Sequence, residues 1–227
     1  MVAGAARYFE YYGNQAETVE GRSIPLGQDY FDFTVYEPFG VSAQIIPWNH
    51  PIEMTARSLQ LDDGVSLPEF GNNMGAMVSD AQRDKAEAMV TAAVADGAEL
   101  VCGGRRLNRP GAFLEPAIIT CQPDNAIAQQ EVFGPVLSVI SFETDDEAIA
   151  IANATEYGLV AGVFTQDLNR ATKAAANLRA GQVFVNEWYA GGVETPFGGY
   201  GKSGYGREKG REALWNYIQT KNVAIKR

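Results

Sequence analysis

Few residues in this chain can do chemistry, and their surroundings decide what each can contribute. Glu131 and Phe133 stand in EVFGPVL (Glu131–Leu137), a carboxylate two residues before an aromatic ring and a Gly-Pro turn, just ahead of an apolar strand. A carboxylate so placed can accept hydrogen bonds from ribose hydroxyls, and Phe133 can pack on a flat heteroaromatic ring. The same pattern also suits a solvated glutamate beside a turn aromatic. Trp48, Asn49 and His50 fall in IIPWNHP (Ile45–Pro51). His50 is the sole histidine and has no Ser or Cys elbow to serve, so it reads as a packed, hydrogen-bonded side chain.

The two cysteines are poor nucleophiles by context. Cys102, in LVCGG, falls at the end of a short apolar strand, and Cys121 ends another before Gln122-Pro123. A reactive thiol needs a pKa lowered by a helix amino terminus or a neighbouring cation. Neither position offers one, so both read as structural or incidental, with Cys102 a small buried hydrophobe.

Pro196–Ser203 (PFGGYGKS) ends like a phosphate loop, but that pattern requires a glycine where Pro196 stands, and a helix starting at once. Here Gly204, Tyr205 and Gly206 prolong the loop instead, which makes it a glycine-rich surface turn. The Gly199, Gly201, Gly204 spacing lies inside the same loop and outside any βαβ turn, so a Rossmann signature is not supported.

The elements that must position these residues follow from periodicity. Ala3–Gln15 reads as a helix that Gly13-Asn14 would fray or end, and Gly21–Gln28 as a turn-rich linker. Phe31–Tyr36 alternates Phe31, Phe33, Val35 against Asp32, Thr34, Tyr36, the pattern of a half-buried strand, and Val41–Ile46 starts a second. Ser79 and Gln82 have capping-box spacing ahead of a helix whose stripe is Ala86, Met89, Val90, Ala93 and Val94, with Gly97 as its stop. Leu137–Phe142, Leu159–Phe164 and Val183–Asn186 read as strands. Between them lie one helix opened by the Thr144/Glu147 box and ending at Asn153, and another from Asp167 to Leu178. Short loops between such elements imply parallel strands with right-handed crossovers. Tyr217–Lys226 alternates again and should pair with a sheet edge.

At 227 residues the chain can bury one good core. Its formal net charge of −10, without a Lys/Arg patch, argues against nucleic acid. No Cys or His spacing suggests a metal, no apolar stretch spans a membrane, and two cysteines without a secretory signature point to the cytoplasm.

Taken in order, these blocks resemble the aldehyde dehydrogenase superfamily. YEPFGVSAQIIPWNHP, MGAMVSDAQ, GAELVCGG, FLEPAIIT, EVFGPVLSV, ANATEYGLVAGVFT, GQVFVN, PFGGYGKSGYGREKG and YIQTKNVAIK follow the family's order, from about Ala6 to Leu59 and from about Met74 to Lys226. The resemblance implies an α/β chain with a partial aldehyde dehydrogenase-like fold. A parallel sheet with flanking helices would form the catalytic-domain core, joined by oligomerisation strands, with the cofactor domain largely missing. The implied divisions are residues 1–30 (helix and linker), 31–60 (oligomerisation strand and cofactor-domain remnant), 61–73 (junction loop), 74–213 (catalytic-domain-like core) and 214–227 (carboxy-terminal oligomerisation strand).

In the family, a cysteine thiolate attacks the aldehyde, hydride passes to NAD or NADP, and a glutamate-activated water hydrolyses the thioester. By resemblance, Asn49 is a remnant of the oxyanion hole, and Trp48, Glu131 and Phe133 are the nicotinamide side of the cofactor site. The Gly-Gln-x-Cys nucleophile block, the general-base glutamate block and the dinucleotide-binding lysine have no counterpart, because Leu59 passes through a short loop to Met74. The amino-terminal portion before Ala6 is likewise expected to be gone. The resemblance therefore implies a shortened member that binds NAD or NADP incompletely and is inactive alone. Its partner would be a second copy or a full-length relative. The alternatives are half of a split dehydrogenase completed by another chain, and a repurposed small-molecule-binding or assembly protein.

Overall fold

The computed structural model describes residues 2–43, 75–188 and 190–227. They fall into two compact units, one drawn from Met1–Leu67, Leu159–Gly162 and Ala180–Arg227, the other from Pro68–Gly158 and Val163–Arg179.

In the second unit the chain enters helix α2 (Asp80–Ala95; α1 belongs to the first unit) from Ser79, whose hydroxyl accepts from the Gln82 amide at 3.2 Å. Ala86, Val90 and Ala93 of the expected stripe are buried, and Gly97 takes φ +91° just past the helix end. Three strands follow, β3 (Glu99–Cys102), β4 (Ala117–Thr120) and β5 (Val136–Val139), in the order β3-β4-β5. β3 runs antiparallel to β4 with a bulge between Leu100 and Cys102, whereas β5 runs parallel to β4. Ile119 at the sheet's centre is fully buried and packs in one cluster with Ala86, Val90, Ala93, Leu114 and Val132. The short helix α3 (Ala126–Gln129) is capped by the buried Asn125, whose Oδ1 accepts from the Ile127 amide at 3.1 Å.

Helices α4 (Asp145–Asn153) and α5 (Leu168–Asn177) open on the expected caps. Thr144 accepts from the Glu147 amide, and the Glu147 carboxylate reaches back to the amide of Glu143. Asp167 accepts from two amides, Asn169 and Arg170. The pair is tied by Asn153, which donates to the Asn177 carbonyl and accepts from the Arg179 amide, and by an Arg170–Asp145 ion pair. That ion pair holds the Asp145 carboxyl below its ordinary range.

In the first unit, α1 (Val2–Ala16) runs through Gly13 rather than ending there; a Cβ at Gly13 would meet nothing, so only backbone entropy opposes the extension. The expected linker holds a two-residue strand, β1 (Ser23–Ile24), paired antiparallel with β2 (Tyr30–Pro38). β2 pairs in turn with β8 (Ile218–Lys226) over nine registered positions, from Tyr30↔Lys226 to Pro38↔Ile218. The buried side of β2 is its polar one. Asp32 and Thr34 are enclosed while Phe31 and Ile225 stay about half exposed. The reason is local: the Arg22 amide donates to Thr34 Oγ1, Asn222 donates to Asp32, and Trp215 packs on Tyr36.

The remaining strands, β6 (Val160–Val163) and β7 (Gln182–Val185), form their own two-stranded sheet. Among the described residues no ladder joins them to β5, so the three strands of the βαβαβ reading do not share one sheet. Val41–Ala43 is not strand, and the rest of the expected strand to Ile46 lies outside the described residues, as does the junction 61–73.

Candidate functional site

The site is built around EVFG. Gln82, in the third position of α2, was expected to cap its own helix reciprocally. It instead sends its side-chain amide to two carbonyls of that loop, Val132 and Phe133, each at 3.1 Å. Val132 is buried in the core, and Gly134 lies so close to α2 that a Cβ there would sit 3.0 Å from the Ala86 methyl and 3.2 Å from Met77. Between these anchors Phe133 adopts φ +54°, a left-handed conformation that costs a non-glycine residue about 1–3 kcal/mol. The surroundings enforce it, and the ring stands 43% exposed.

Glu131 and Phe133 share a cleft of about 360 Å³ with Ile127, Gln130, Val136 and Ser138. Its floor is fixed from below, because Ser138 Oγ donates to the Ile127 carbonyl and Asn125 Nδ2 bonds the Ala93 carbonyl of α2. An exposed carboxylate and a half-exposed ring on one rigid turn can grip a sugar hydroxyl and the flat ring it carries. The structure thus brings two of the four expected site residues together. Trp48 and Asn49, with His50, lie outside the described residues. Gln82 is the positioning residue that the sequence pattern assigned to a different task.

Neither cysteine lines this cleft. Cys102 is exposed, not buried as expected; among the described residues β3 pairs only with β4, and a bulge between Leu100 and Cys102 breaks that ladder. Cys121 is half-buried, and that burial pushes its thiol above the ordinary value, away from thiolate.

In the first unit, the glycine-rich segment behaves as a pinned turn. An antiparallel bridge, Phe197↔Glu208, closes its base with two 2.7 Å hydrogen bonds. Arg207 donates to the carbonyls of Gly199 and Gly206, and Asn216 donates to the Arg207 carbonyl at 2.6 Å. The guanidinium thus bonds the loop's own carbonyls, and the adjoining cleft of about 370 Å³ is lined by Phe197, Gly198, Gly199, Tyr205, Arg207 and Glu208 among others. Gly181 is required here, since a Cβ would lie 1.6 Å from the Gly198 carbonyl oxygen.

The family model described as "Aldehyde dehydrogenase family" matches residues 1–62 and 54–223, nearly the whole chain. The chain belongs to the aldehyde dehydrogenase family. It is similar to a betaine aldehyde dehydrogenase of Cereibacter sphaeroides, 48% identical over 67% of this chain and 32% of that protein. It is also similar to 4-trimethylaminobutyraldehyde dehydrogenase A of Danio rerio, 39% identical over 76% of this chain and 35% of that protein. Among solved structures, an NAD-dependent aldehyde dehydrogenase from Sinorhizobium meliloti superposes with a TM-score of 0.65 at 44% identity, covering 67% of this chain and 31% of that one. A betaine aldehyde dehydrogenase from Staphylococcus aureus in complex with NAD+ gives 0.64 at 39% identity, covering 68% and 32%.

This aldehyde dehydrogenase chain therefore spans about a third of the length of the relatives it matches. Its fold is a partial aldehyde dehydrogenase-like α/β fold. Among the described residues no helix is long and apolar enough to cross a membrane.

Proposed function

We propose that this chain supplies the nicotinamide side of an aldehyde dehydrogenase site and does not oxidise aldehydes by itself. The observation that carries this reading is the state of its thiols. The sequence has two cysteines, one exposed on a bulged edge strand and one with its pKa raised by burial. Covalent attack on a carbonyl needs a thiolate at the site, and neither cysteine reaches the Glu131–Phe133 cleft. Asn49 would contribute the oxyanion hole, and Trp48 would border the same ring.

For NAD or NADP, the cleft's volume and its single carboxylate and ring fit the nicotinamide riboside end alone. Bound there, a nicotinamide accepts the hydride that aldehyde oxidation releases. Glu131 would orient the ribose and Phe133 the ring. Calorimetric titration with NAD and with nicotinamide mononucleotide tests this. Both should bind alike and weakly, in the millimolar range or about −4 kcal/mol, because both present the same nicotinamide end. Binding of NAD a hundredfold tighter than the mononucleotide would mean a complete dinucleotide site, and would sink the reading.

A second reading, half of a dehydrogenase completed by another chain, is favoured by one observation: among the described residues β5 pairs only with β4, and its Leu137 and Val139 are exposed. Betaine aldehyde is the first substrate to offer such a complex, from the names of the relatives. β2 and β8, with Phe31 and Ile225 on their open side, would join copies of the chain or a full-length relative in the cytoplasm. A strictly monomeric mass at high concentration would count against that.

A further inference from the structure

Two flanks of the Glu131–Phe133 cleft hang from one helix. Near the start of α2, Gln82 holds the Val132 and Phe133 carbonyls. About three turns later on the same helix, the Ala93 carbonyl accepts from Asn125 Nδ2 at 3.4 Å, a nitrogen that also donates to the Asp96 carboxylate at 3.4 Å. Asn125 is 4% exposed, and its Oδ1 accepts from the Ile127 amide at 3.1 Å. The Ile127 carbonyl accepts in turn from Ser138 Oγ at 3.3 Å. Ile127 and Ser138 both line the cleft, so one buried side chain ties α2 to α3 and, through Ile127, to β5.

We propose that Asn125 is a positioning residue for this cleft, setting the Ile127 flank against the EVFG flank that Gln82 holds. The inference rests on the reading above that the cleft takes the nicotinamide riboside end of NAD or NADP. The two ends of the Asn125 amide do different work. Its oxygen caps α3, a task that Ser or Asp performs as well. Its nitrogen goes beyond capping, and neither acceptor depends on it. The Ala93 carbonyl already accepts from the amides of Asp96 and Ala98, at 3.2 and 2.9 Å, and Asp96 is exposed to water. The tie therefore adds little by satisfying its partners; what it fixes is where α3 stands against α2. Asn125 is not among the cleft's lining residues, so it acts through Ile127. With the tie removed, the turn carrying Glu131 and Phe133 keeps its bonds to Gln82 while the Ile127 flank drifts. Affinity then falls further than stability does.

The test uses the whole chain, with nicotinamide mononucleotide as the probe. Asn125→Ser keeps a cap for α3 and removes the donor to α2. Thr144→Ala is the comparison for general loosening, because it removes the cap of α4 and Thr144 does not line the cleft. Urea unfolding gives the stability of each variant, chemical-shift titration its affinity for the mononucleotide, and amide exchange its local protection. Asn125→Ser should bind at least fivefold more weakly, with faster exchange at residues 127–130 and unchanged exchange at residues 132–134. Thr144→Ala should lower the unfolding midpoint yet bind within twofold of the unaltered chain. Unchanged binding by Asn125→Ser, or equal weakening by Thr144→Ala, would overturn the positioning role and leave the site reading standing. So would a loss of protection at residues 132–134 as large as at 127–130. No binding of the mononucleotide by the unaltered chain would overturn both.

Discussion

Replacing Gln82 with Met keeps the length and helix propensity of the side chain but removes both hydrogen bonds to the EVFG loop. The Val132 carbonyl is partly buried and loses a donor that water replaces poorly, whereas the Phe133 carbonyl is exposed and is rehydrated. A net hydrogen bond contributes about 0.5–1.5 kcal/mol, and a half-buried unsatisfied carbonyl sits at the upper end. The expected loss is therefore about 1–2 kcal/mol, most of it from Val132. Urea unfolding followed by circular dichroism measures it as a lower midpoint at unchanged slope. The same bonds hold Phe133 in its left-handed conformation, so amide exchange across Glu131–Val136 should accelerate more than exchange in α5. A midpoint unchanged within error, or acceleration spread evenly over the chain, would refute the role given to Gln82.

Three further outcomes follow from the geometry. Ile119→Ala empties the fully buried centre of β4 and should cost about 2–5 kcal/mol in the same unfolding assay. A maleimide probe at neutral pH should label Cys102 well before Cys121, since one thiol is exposed and the other is half-buried with its pKa raised; mass spectrometry of digests reads the order. Asp145 has a folded pKa below its ordinary value because of Arg170, so the pair's stabilising contribution is complete above the ordinary aspartate pKa. It is lost as pH falls through the depressed folded value. Arg170→Gln should therefore flatten the acid limb of the stability profile below about pH 4 without reshaping it at neutral pH.

The local signals in the sequence translated well where the physics is local. Ser79, Thr144 and Asp167 cap the helices that their spacing announces, and Gly97 supplies the left-handed stop after α2. Pairing of the Phe31 and Val223 segments was legible as alternation, but which side is buried was not. The Arg22 amide engages Thr34, Asn222 engages Asp32 and Trp215 packs on Tyr36, and the last two of those partners come from the far end of the chain. Cys102 misled for a similar reason: an apolar strand ending in a thiol looks interior, yet the bulge at that end leaves the thiol exposed. The candidate cleft was half legible. Glu131 and Phe133 stand out beside the Gly-Pro turn, yet the side chain that fixes them, Gln82, is fifty-one residues from Phe133 and wears the pattern of a helix cap. Among the described residues the strands expected in one parallel sheet fall into two, because loop length and alternation do not encode which strands pair.

The central claim is that this aldehyde dehydrogenase-family chain holds one side of a nicotinamide site without a nucleophile. Its most direct test is NADH formation from betaine aldehyde and NAD by the purified chain alone, then mixed with the complementary two-thirds of the Cereibacter sphaeroides enzyme. The account predicts no NADH above the protein-free rate from the chain alone, and production in the mixture that Glu131→Ala diminishes. Turnover by the chain alone, abolished by Cys102→Ser or Cys121→Ser, would contradict it.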